Sequence, residues 1–339
     1  AVIEARGITR VYPGRGGLLG RTPVPALRGV DLAVPARGTV CLIGESGSGK
    51  TTLGRILCGL DDFDHGELVI AGQPMTRLRR RQRAPWFRGV QMIQQDPYPA
   101  LNPVRRVGDI LGAPLALRQR QRREGRDWAR RRSAELLELV GLDPSSVLSC
   151  YPHMLSGGMR QRVAIARALT VDPAVLVADE AVSMIDVSLR LGIIRLLGEL
   201  RDQIGISLLF ITHDATLARS VGQDGDLYVL YRGTVVEHGR TEHILQHPVH
   251  PYTQCLLSAI PVMRGLEHPG PDRLEPVADP RAGQEPPGCP FEPRCPFAAS
   301  DCRQQRPALS HSGATGQEHA CLYPQPRAVL PVPVPGHES

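Results

Sequence analysis

The residues with the clearest chemical potential form a glycine-rich run around Lys50, the only lysine among 40 basic side chains. This run, Gly44-Glu45-Ser46-Gly47-Ser48-Gly49-Lys50-Thr51, fits the phosphate-loop pattern G-x-x-x-x-G-K-[ST]. Glycines at a turn from strand to helix let backbone N–H groups approach phosphate oxygens. The pattern predicts that Lys50 reaches the β- and γ-phosphates of a nucleotide and that Thr51 offers its hydroxyl to Mg²⁺.

Two buried strands and one helix are predicted to position these groups. Residues 39–43 form an apolar run before the loop, and residues 52–58 follow it with helical apolar spacing. A second apolar run over residues 174–178 ends in Asp179 and Glu180. Beside a phosphate loop, Asp179 is predicted to hold Mg²⁺ through water, and Glu180 is predicted to polarise the attacking water.

A second candidate phosphate site lies at Leu155-Ser156-Gly157-Gly158-Met159, directly before the helical pattern of residues 160–169. The N-terminus of a helix attracts anions. One nucleotide cannot easily occupy two such sites in one subunit, so the pattern favours a dimer that shares its nucleotides. The alternative is an ordinary serine N-cap with glycines for the turn.

The order of these motifs resembles that of an ATP-binding cassette (ABC) ATPase. The set is completed by Gln95 in Gln94-Gln95-Asp96-Pro97, by Asp186, and by His213 in Phe210-Ile211-Thr212-His213-Asp214. The resemblance extends to ATPase subunits of oligopeptide and dipeptide importers. Residues 95–98 with 101–103 look like the Q-loop of that subfamily, and residues 250–261 look like its post-cassette segment. It covers about residues 1 to 325.

The resemblance implies a role for each matching residue. Gln95 would contact Mg²⁺ and report the nucleotide state to a membrane subunit, and His213 would hold the γ-phosphate and orient Glu180. Asp186 would lie at the dimer seam. Tyr12 matches the aromatic residue that stacks on adenine, with ordinary packing as the equal alternative. The predicted catalytic residues are Glu180, His213 and Gln95, and the predicted Mg²⁺ ligands are Thr51, Gln95 and Asp179. The predicted nucleotide-binding residues are Tyr12, Gly44, Glu45, Ser46, Gly47, Ser48, Gly49, Lys50, Thr51, Thr52, Gln95, Ser156, Gly157, Gly158, Asp179 and Asp186.

The predicted fold is α/β: a P-loop NTPase cassette of the ABC type with a parallel-sheet core and a helical subdomain. Residues 1 to about 90 and about 160 to 235 alternate strands with helices, and residues about 96 to 158 have a helical pattern. We expect the ATPase domain to span residues 1–261. Residues 262–339 are expected to form a C-terminal extension that contains cysteines.

Four cysteines cluster in this extension, at Cys289, Cys295, Cys302 and Cys321. Thiols in a reducing compartment do not keep disulfides, so the cluster suggests a metal site. The gaps lack the Cys-x-x-Cys unit that zinc prefers, and two of the cysteines precede proline, as near iron–sulfur ligands. The resemblance implies a 4Fe–4S cluster at these four residues. Zinc and free thiols remain the alternatives.

Composition and charge exclude several classes. The formal charge of +6 is too small to identify a polyanionic partner. No apolar run has the roughly 18 residues of a membrane helix, and no signal peptide is visible. The arginine-rich residues 77–83 and 118–132 are interpreted as solvated helix surfaces, so no nucleic acid partner is expected.

The resemblance predicts an ATP-hydrolysing subunit that powers peptide import from the cytoplasmic face of the membrane, as a peripheral protein. Its expected partners are two permease subunits, a second, non-identical ATPase and, through the complex, an extracytoplasmic peptide-binding protein. A related importer for nickel or another small solute is an alternative. A non-transport ABC ATPase acting on ribosomes or DNA is disfavoured because one cassette and no heptads are present. A module that binds ATP without turnover is disfavoured by Lys50, Glu180 and His213.

Overall fold

A computed structural model describes residues 1–14, 23–125, 127–259, 274–277, 287–312 and 316–326. The strands in these residues are β1 (Ile3–Tyr12), β2 (Val24–Val34), β3 (Thr39–Ile43), β4 (His65–Ile70), β5 (Gln73–Pro74), β6 (Val90–Ile93), β7 (Val175–Asp179), β8 (Ser207–Thr212), β9 (Asp226–Tyr231), β10 (Thr234–Arg240), β11 (Ser310–Ser312) and β12 (Gln317–His319). The α-helices are α1 (Lys50–Leu57), α2 (Arg80–Arg88), α3 (Val107–Arg122), α4 (Trp128–Leu139), α5 (Pro144–Val147), α6 (Gly157–Leu169), α7 (Val187–Ile204), α8 (Ala215–Gly222), α9 (Thr241–Gln246) and α10 (Pro251–Ser258). Within the described residues, no helix combines the length and apolar character that crossing a membrane requires.

The strands form two sheets. The larger has the order β11-β12-β10-β9-β3-β8-β7-β6, and its strands β9, β3, β8, β7 and β6 are parallel. The smaller has the order β2-β1-β4-β5 and is antiparallel. The prediction of a parallel core is therefore correct for the central strands and wrong for the N-terminal ones. These N-terminal strands alternate buried with exposed residues, as antiparallel strands with one buried face do.

The parallel strands are buried on both faces. Successive residues of β3 belong to separate apolar clusters: Cys41 and Ile43 pack on one side of the sheet, and Val40 and Leu42 on the other. The first cluster includes α6, α7 and the helices between β6 and β7, and the second includes α1 and the antiparallel sheet. Each fully buried branched side chain contributes about 1.5–3 kcal/mol. The parallel strands are therefore packed between two apolar clusters, one on each face of the sheet.

Residues 96–158 contain α3, α4 and α5 and, among described positions, no strand. Helix α4 ends just before Gly141, whose φ of +71° is the left-handed conformation that ends a helix. Helix α5 begins at Pro144, with the Asp143 side chain accepting a hydrogen bond from the backbone N–H of Ser145. These local signals agree with the predicted helical segment.

The C-terminal residues pack onto the larger sheet. Strand β12 pairs with β10, with Glu237 opposite His319, and β11 pairs with β12. The predicted boundary between residues 261 and 262 lies outside the described residues. The described part of the extension therefore continues the sheet that carries the phosphate loop.

Candidate functional site

The predicted catalytic groups come together at one edge of the parallel sheet. The phosphate loop follows β3, Gln95 follows β6, Asp179 and Glu180 stand at the end of β7, and His213 follows β8. Because these strands are parallel, their carboxyl ends meet at the same edge. The topology thus explains why residues far apart in sequence share one site.

Backbone crowding in the phosphate loop requires glycine at two positions. A Cβ at Gly44 would lie 2.2 Å from the carbonyl oxygen of Leu230, and one at Gly49 would lie 2.5 Å from that of Ala26. Gly49 also has a φ of +106°, which a side chain disfavours, and it directly precedes α1. The loop is therefore packed against the chain behind it, and its N–H groups begin a helix.

Lys50 is held inside this loop. Its Nζ donates hydrogen bonds to the carbonyl oxygens of Gly44 and Glu45, both at 2.8 Å, and the residue is only 5% exposed. Burial lowers the pKa of Lys50, while the carboxylates of Glu180, Asp179 and Glu45 act in the opposite direction. These carboxylates favour the charged ammonium that a phosphate ligand needs.

The hydroxyl of Thr51 and the carboxylate of Asp179 face each other across the site. Thr51 Oγ1 donates to Asp179 Oδ1 at 3.2 Å, and Asp179 is 5% exposed. Burial raises the pKa of Asp179, and the hydrogen bond from Thr51 partly offsets this shift. Two hard oxygen atoms at one place suit Mg²⁺, which is bound in proteins by a few oxygen ligands beside nucleotide phosphates.

Glu180 lies between the other two predicted catalytic residues. Gln95 Nε2 donates to Glu180 Oε2 at 3.1 Å, and His213 Nδ1 lies 3.1 Å from Glu180 Oε1. Glu180 has a φ of +46°, unusual for a residue with a side chain, and such strain is found at active sites. Its backbone N–H donates to Ile211 on β8, which holds the strained turn. The carboxylate is thus aimed into the site by its backbone and by two neighbours.

Ser156 is the N-cap of α6, and its hydroxyl accepts a hydrogen bond from the backbone N–H of Met159 at 3.3 Å. A Cβ at Gly157 would meet open space, so the start of this helix is accessible. Asp186 is the exposed N-cap of α7, and its carbonyl accepts from the N–H of Leu189. Both segments present helix starts on the surface.

Tyr12 is engaged at the end of β1. Its hydroxyl donates to Asp61, and the Arg10 guanidinium lies 4.8 Å from its ring centroid. Arg10 also forms an ion pair with Asp61 at 3.0 Å. The ring is half-buried and fixed in orientation, and its predicted role with adenine stays a prediction.

The four tail cysteines line one cavity, together with Phe291 and Phe297. Burial raises the pKa of Cys295 to about 12, that of Cys321 to about 11 and that of Cys289 above its ordinary value. All eight cysteines are free thiols. In the part of the chain that the structure describes, no group of three or more His, Cys, Asp or Glu side chains is arranged to hold a metal ion. The predicted convergence of the thiols is present, and the predicted metal is not supported by this arrangement.

Two residues at the phosphate loop escaped the sequence reasoning. Arg294 forms a bidentate ion pair with the Glu45 carboxylate, and the Tyr252 hydroxyl accepts a hydrogen bond from the Glu45 backbone N–H. Both lie more than 200 positions away, at separations of 249 and 207 residues. No local pattern indicates such contacts.

The phosphate-loop pattern around Lys50, the contact of Thr51 with Asp179 and the position of Glu180 between Gln95 and His213 agree with the site expected of an ABC-type ATPase. Residues 27–183 match the family described as ABC transporter, and residues 236–302 match the oligopeptide/dipeptide transporter C-terminal region. The chain belongs to the ABC transporter family of ATP-binding proteins and is an ATPase that carries this C-terminal region.

Individual relatives agree with this assignment. The chain is 39% identical to the di/tripeptide transport ATP-binding protein DppF of Pseudomonas aeruginosa (strain UCBPP-PA14), over 91% of this chain and 94% of that protein. It is 37% identical to the dipeptide transport ATP-binding protein DppF of Escherichia coli (strain K12), over 95% and 94%. Among solved structures, the ATP-binding cassette MJ0796, a dimer in a post-hydrolysis state with ADP and Pi, is 27% identical. It superposes with a TM-score of 0.61 over 70% of this chain and 98% of that chain.

Proposed function

We propose that this chain hydrolyses ATP to power the import of peptides through a membrane transporter. The observation that carries the ATPase site is the Glu180 carboxylate held 3.1 Å from both Gln95 and His213 at the edge that bears the phosphate loop. The C-terminal region match and the named peptide-transport relatives support peptides as the cargo.

In this proposal the phosphates of ATP lie on the backbone of residues 44–51, with Lys50 at the β- and γ-phosphates. Thr51, Asp179 and Gln95 would hold Mg²⁺, which neutralises phosphate charge when it is bound. Glu180 accepts the proton of the water that attacks the γ-phosphorus, and ADP leaves with the bridging oxygen. His213 orients Glu180 and contacts the γ-phosphate. Tyr12 stacks on adenine.

The second half of each nucleotide site comes from a second ATPase subunit. Ser156 and Gly157 are exposed at a helix start, with Gly158 buried behind them, and this start suits the γ-phosphate held by a partner, with Asp186 at the seam. We propose that the partner is a non-identical ATPase and that the pair binds two permeases at the cytoplasmic face of the membrane. An extracytoplasmic binding protein would deliver the peptide.

The test is reconstitution of the chain with candidate permeases and a sister ATPase in lipid vesicles. Peptide and its binding protein should stimulate ATP hydrolysis and peptide uptake together. Stimulation by nickel chelates instead of peptides would transfer the assignment to a related importer. Full activity without any membrane partner would contradict a transport function.

We further propose that residues 1–261 act as the ATPase domain, and that Cys289, Cys295, Cys302 and Cys321 of the extension (residues 262–339) hold a 4Fe–4S cluster. The fit is supported by four thiols that face one cavity shielded by two phenylalanine rings. The Cys289-Pro290 and Cys295-Pro296 pairs and the lack of a Cys-x-x-Cys unit favour iron–sulfur over zinc.

Metal and sulfide analysis after anaerobic purification tests this part. The expected result is iron with acid-labile sulfide and broad absorbance near about 400 nm, both lost in Cys295→Ser. One zinc per chain without iron would overturn the cluster. Finding neither metal, with all four thiols alkylated in the native protein, would overturn the metal site altogether.

A further inference from the structure

The C-terminal extension contacts the phosphate loop through one arginine. Arg294 Nη1 donates to Glu45 Oε2 at 2.8 Å, and Arg294 Nη2 donates to Glu45 Oε1 at 3.0 Å. The Arg294 side chain is 20% exposed and that of Glu45 is 41% exposed. Two parallel charge-assisted hydrogen bonds restrict both the position and the orientation of the carboxylate. The pair joins residues 249 positions apart, so it connects the C-terminal extension to the phosphate loop.

The same loop residue is held a second time, through its backbone. The Glu45 N–H donates to the hydroxyl of Tyr252 at 2.8 Å. Tyr252 is 1% exposed and lies in an aromatic cluster with Tyr231 and Phe291, at centroid distances of 4.5 and 5.5 Å. The Arg294 guanidinium also lies 5.9 Å from the ring centroids of both Tyr231 and Phe291. The Arg294–Glu45 ion pair and the Tyr252–Glu45 hydrogen bond are therefore both supported by the same aromatic cluster.

This cluster continues into the cysteine cavity. Arg294 ends the short 3-10 helix Glu292–Arg294, which lies between Cys289 and Cys295. The backbone N–H of Glu292 donates to Cys289, and that of Cys295 donates to Glu292. The turn that carries Arg294 is therefore shaped by the same backbone that presents two of the thiols. The extension is therefore in direct contact with the phosphate loop, although the contacting residues are 249 positions apart.

We propose that Arg294 is a positioning residue of the phosphate loop, through which the C-terminal extension strengthens nucleotide binding. Lys50 Nζ donates to the Glu45 carbonyl oxygen at 2.8 Å, so an anchored Glu45 fixes the group that binds the lysine. Arg294 also neutralises a carboxylate next to the place where a triphosphate binds. Without Arg294 the loop samples more conformations and the Glu45 charge repels the nucleotide. The inference rests on the assignment of residues 44–51 as the phosphate loop.

The test compares the Kd of ATP and ADP for the full-length chain and for Arg294→Ala and Arg294→Lys. We expect Arg294→Ala to raise the Kd of ATP about three- to tenfold, the scale of a partly exposed bidentate pair. Arg294→Lys, which keeps the charge and loses the fork, should recover part of this loss. Amide hydrogen exchange of residues 44–50 in the nucleotide-free protein should become faster in Arg294→Ala.

A matched control lies in the same extension. Glu318 Oε2 lies 3.0 Å from His238 Nδ1, a contact between β12 and β10 that includes no residue of the phosphate loop or of the turn that carries Arg294. Glu318→Ala removes this contact and should leave the Kd of ATP unchanged. An equal rise in Kd for Glu318→Ala and Arg294→Ala would show general destabilisation and overturn the proposal.

A double-mutant cycle with Glu45→Gln tests the contact from the loop side, independently of how the extension folds. Arg294→Ala should raise the Kd of ATP by a smaller factor in the Glu45→Gln background than in the wild type. Additive effects, or an unchanged ATP Kd in Arg294→Ala, would overturn the proposal. Lys50→Ala distinguishes a failure of this proposal from a failure of the phosphate-loop assignment. It should weaken ATP binding even if Arg294 has no effect. If Lys50→Ala has no effect, the phosphate-loop assignment itself is wrong.

Discussion

Replacing Glu180 with glutamine should remove the general base while keeping the geometry of the site. The two carboxylate oxygens of Glu180 face Gln95 Nε2 and His213 Nδ1, each at 3.1 Å. A glutamine can turn its carbonyl oxygen towards Gln95 and its NH₂ group towards His213. The neutral histidine accepts that hydrogen bond at Nδ1 when its proton sits on Nε2. Both contacts survive, and only the basicity of the group is lost.

The size of the effect follows from the role assigned to the carboxylate. A positioned general base contributes typically about 10²–10⁴-fold, so we expect turnover to fall roughly a hundredfold or more. Nucleotide binding should persist, because Lys50 with its carbonyl partners and Thr51 with Asp179 are unchanged. The expected pattern is a large loss in kcat with a nearly constant ATP Kd.

The assay measures phosphate release by the assembled transporter and ATP affinity by equilibrium binding. Light scattering of Glu180→Gln mixed with the sister ATPase in excess ATP should also show an ATP-dependent dimer, because the nucleotide beside Glu180 is no longer hydrolysed. A wild-type rate in purified Glu180→Gln would refute the base assignment. A loss of ATP binding would show that the residue acts on the nucleotide itself.

The remaining predictions concern the loop, the metal and the dimer. Gly49→Ala should weaken ATP binding roughly tenfold or more in equilibrium titrations, because its Cβ would lie 2.5 Å from the Ala26 carbonyl at a φ of +106°. Asp179→Asn should weaken Mg²⁺ binding, so that ATP hydrolysis requires a higher Mg²⁺ concentration. In the wild type, Mg²⁺ affinity should fall as pH decreases, because protons compete for a carboxylate whose pKa is raised by burial. Ser156→Arg should abolish ATP-dependent dimerisation with the sister ATPase in light scattering and leave ATP binding by the isolated chain intact; unchanged dimerisation would contradict the shared site.

The site could be predicted wherever the chemistry is contiguous in sequence. Residues 44–51 contain the loop, its lysine and its hydroxyl in one run, and Asp179 with Glu180 ends an apolar strand. Parallel strands then bring these short runs to one edge, as the fold expected from the motif order requires. The structure adds the distances that the motifs imply, such as 3.2 Å between Thr51 and Asp179.

The parts that escaped prediction depend on contacts between distant segments. Strands β1, β2 and β4 have ordinary strand patterns, and their antiparallel pairing is decided by partners that propensity does not specify. The contact of Arg294 with Glu45 has no local signal, since one arginine among many has the same appearance in the sequence. The extension can reach the phosphate loop because the chain returns to the larger sheet, where β12 pairs with β10.

The two cations at the phosphate loop, Lys50 and Arg294, differ in the geometry of the groups that they bind. Lys50 is only 5% exposed, and its compact ammonium group donates to two carbonyl oxygens, each 2.8 Å away. A planar guanidinium cannot make this convergent contact in the same space. Arg294 instead needs a planar group with two donors, since it binds both oxygens of the Glu45 carboxylate side by side, at 2.8 and 3.0 Å. The geometry of the bound group therefore matches each cation, and both cations bind Glu45: Lys50 at the backbone carbonyl oxygen and Arg294 at the side-chain carboxylate.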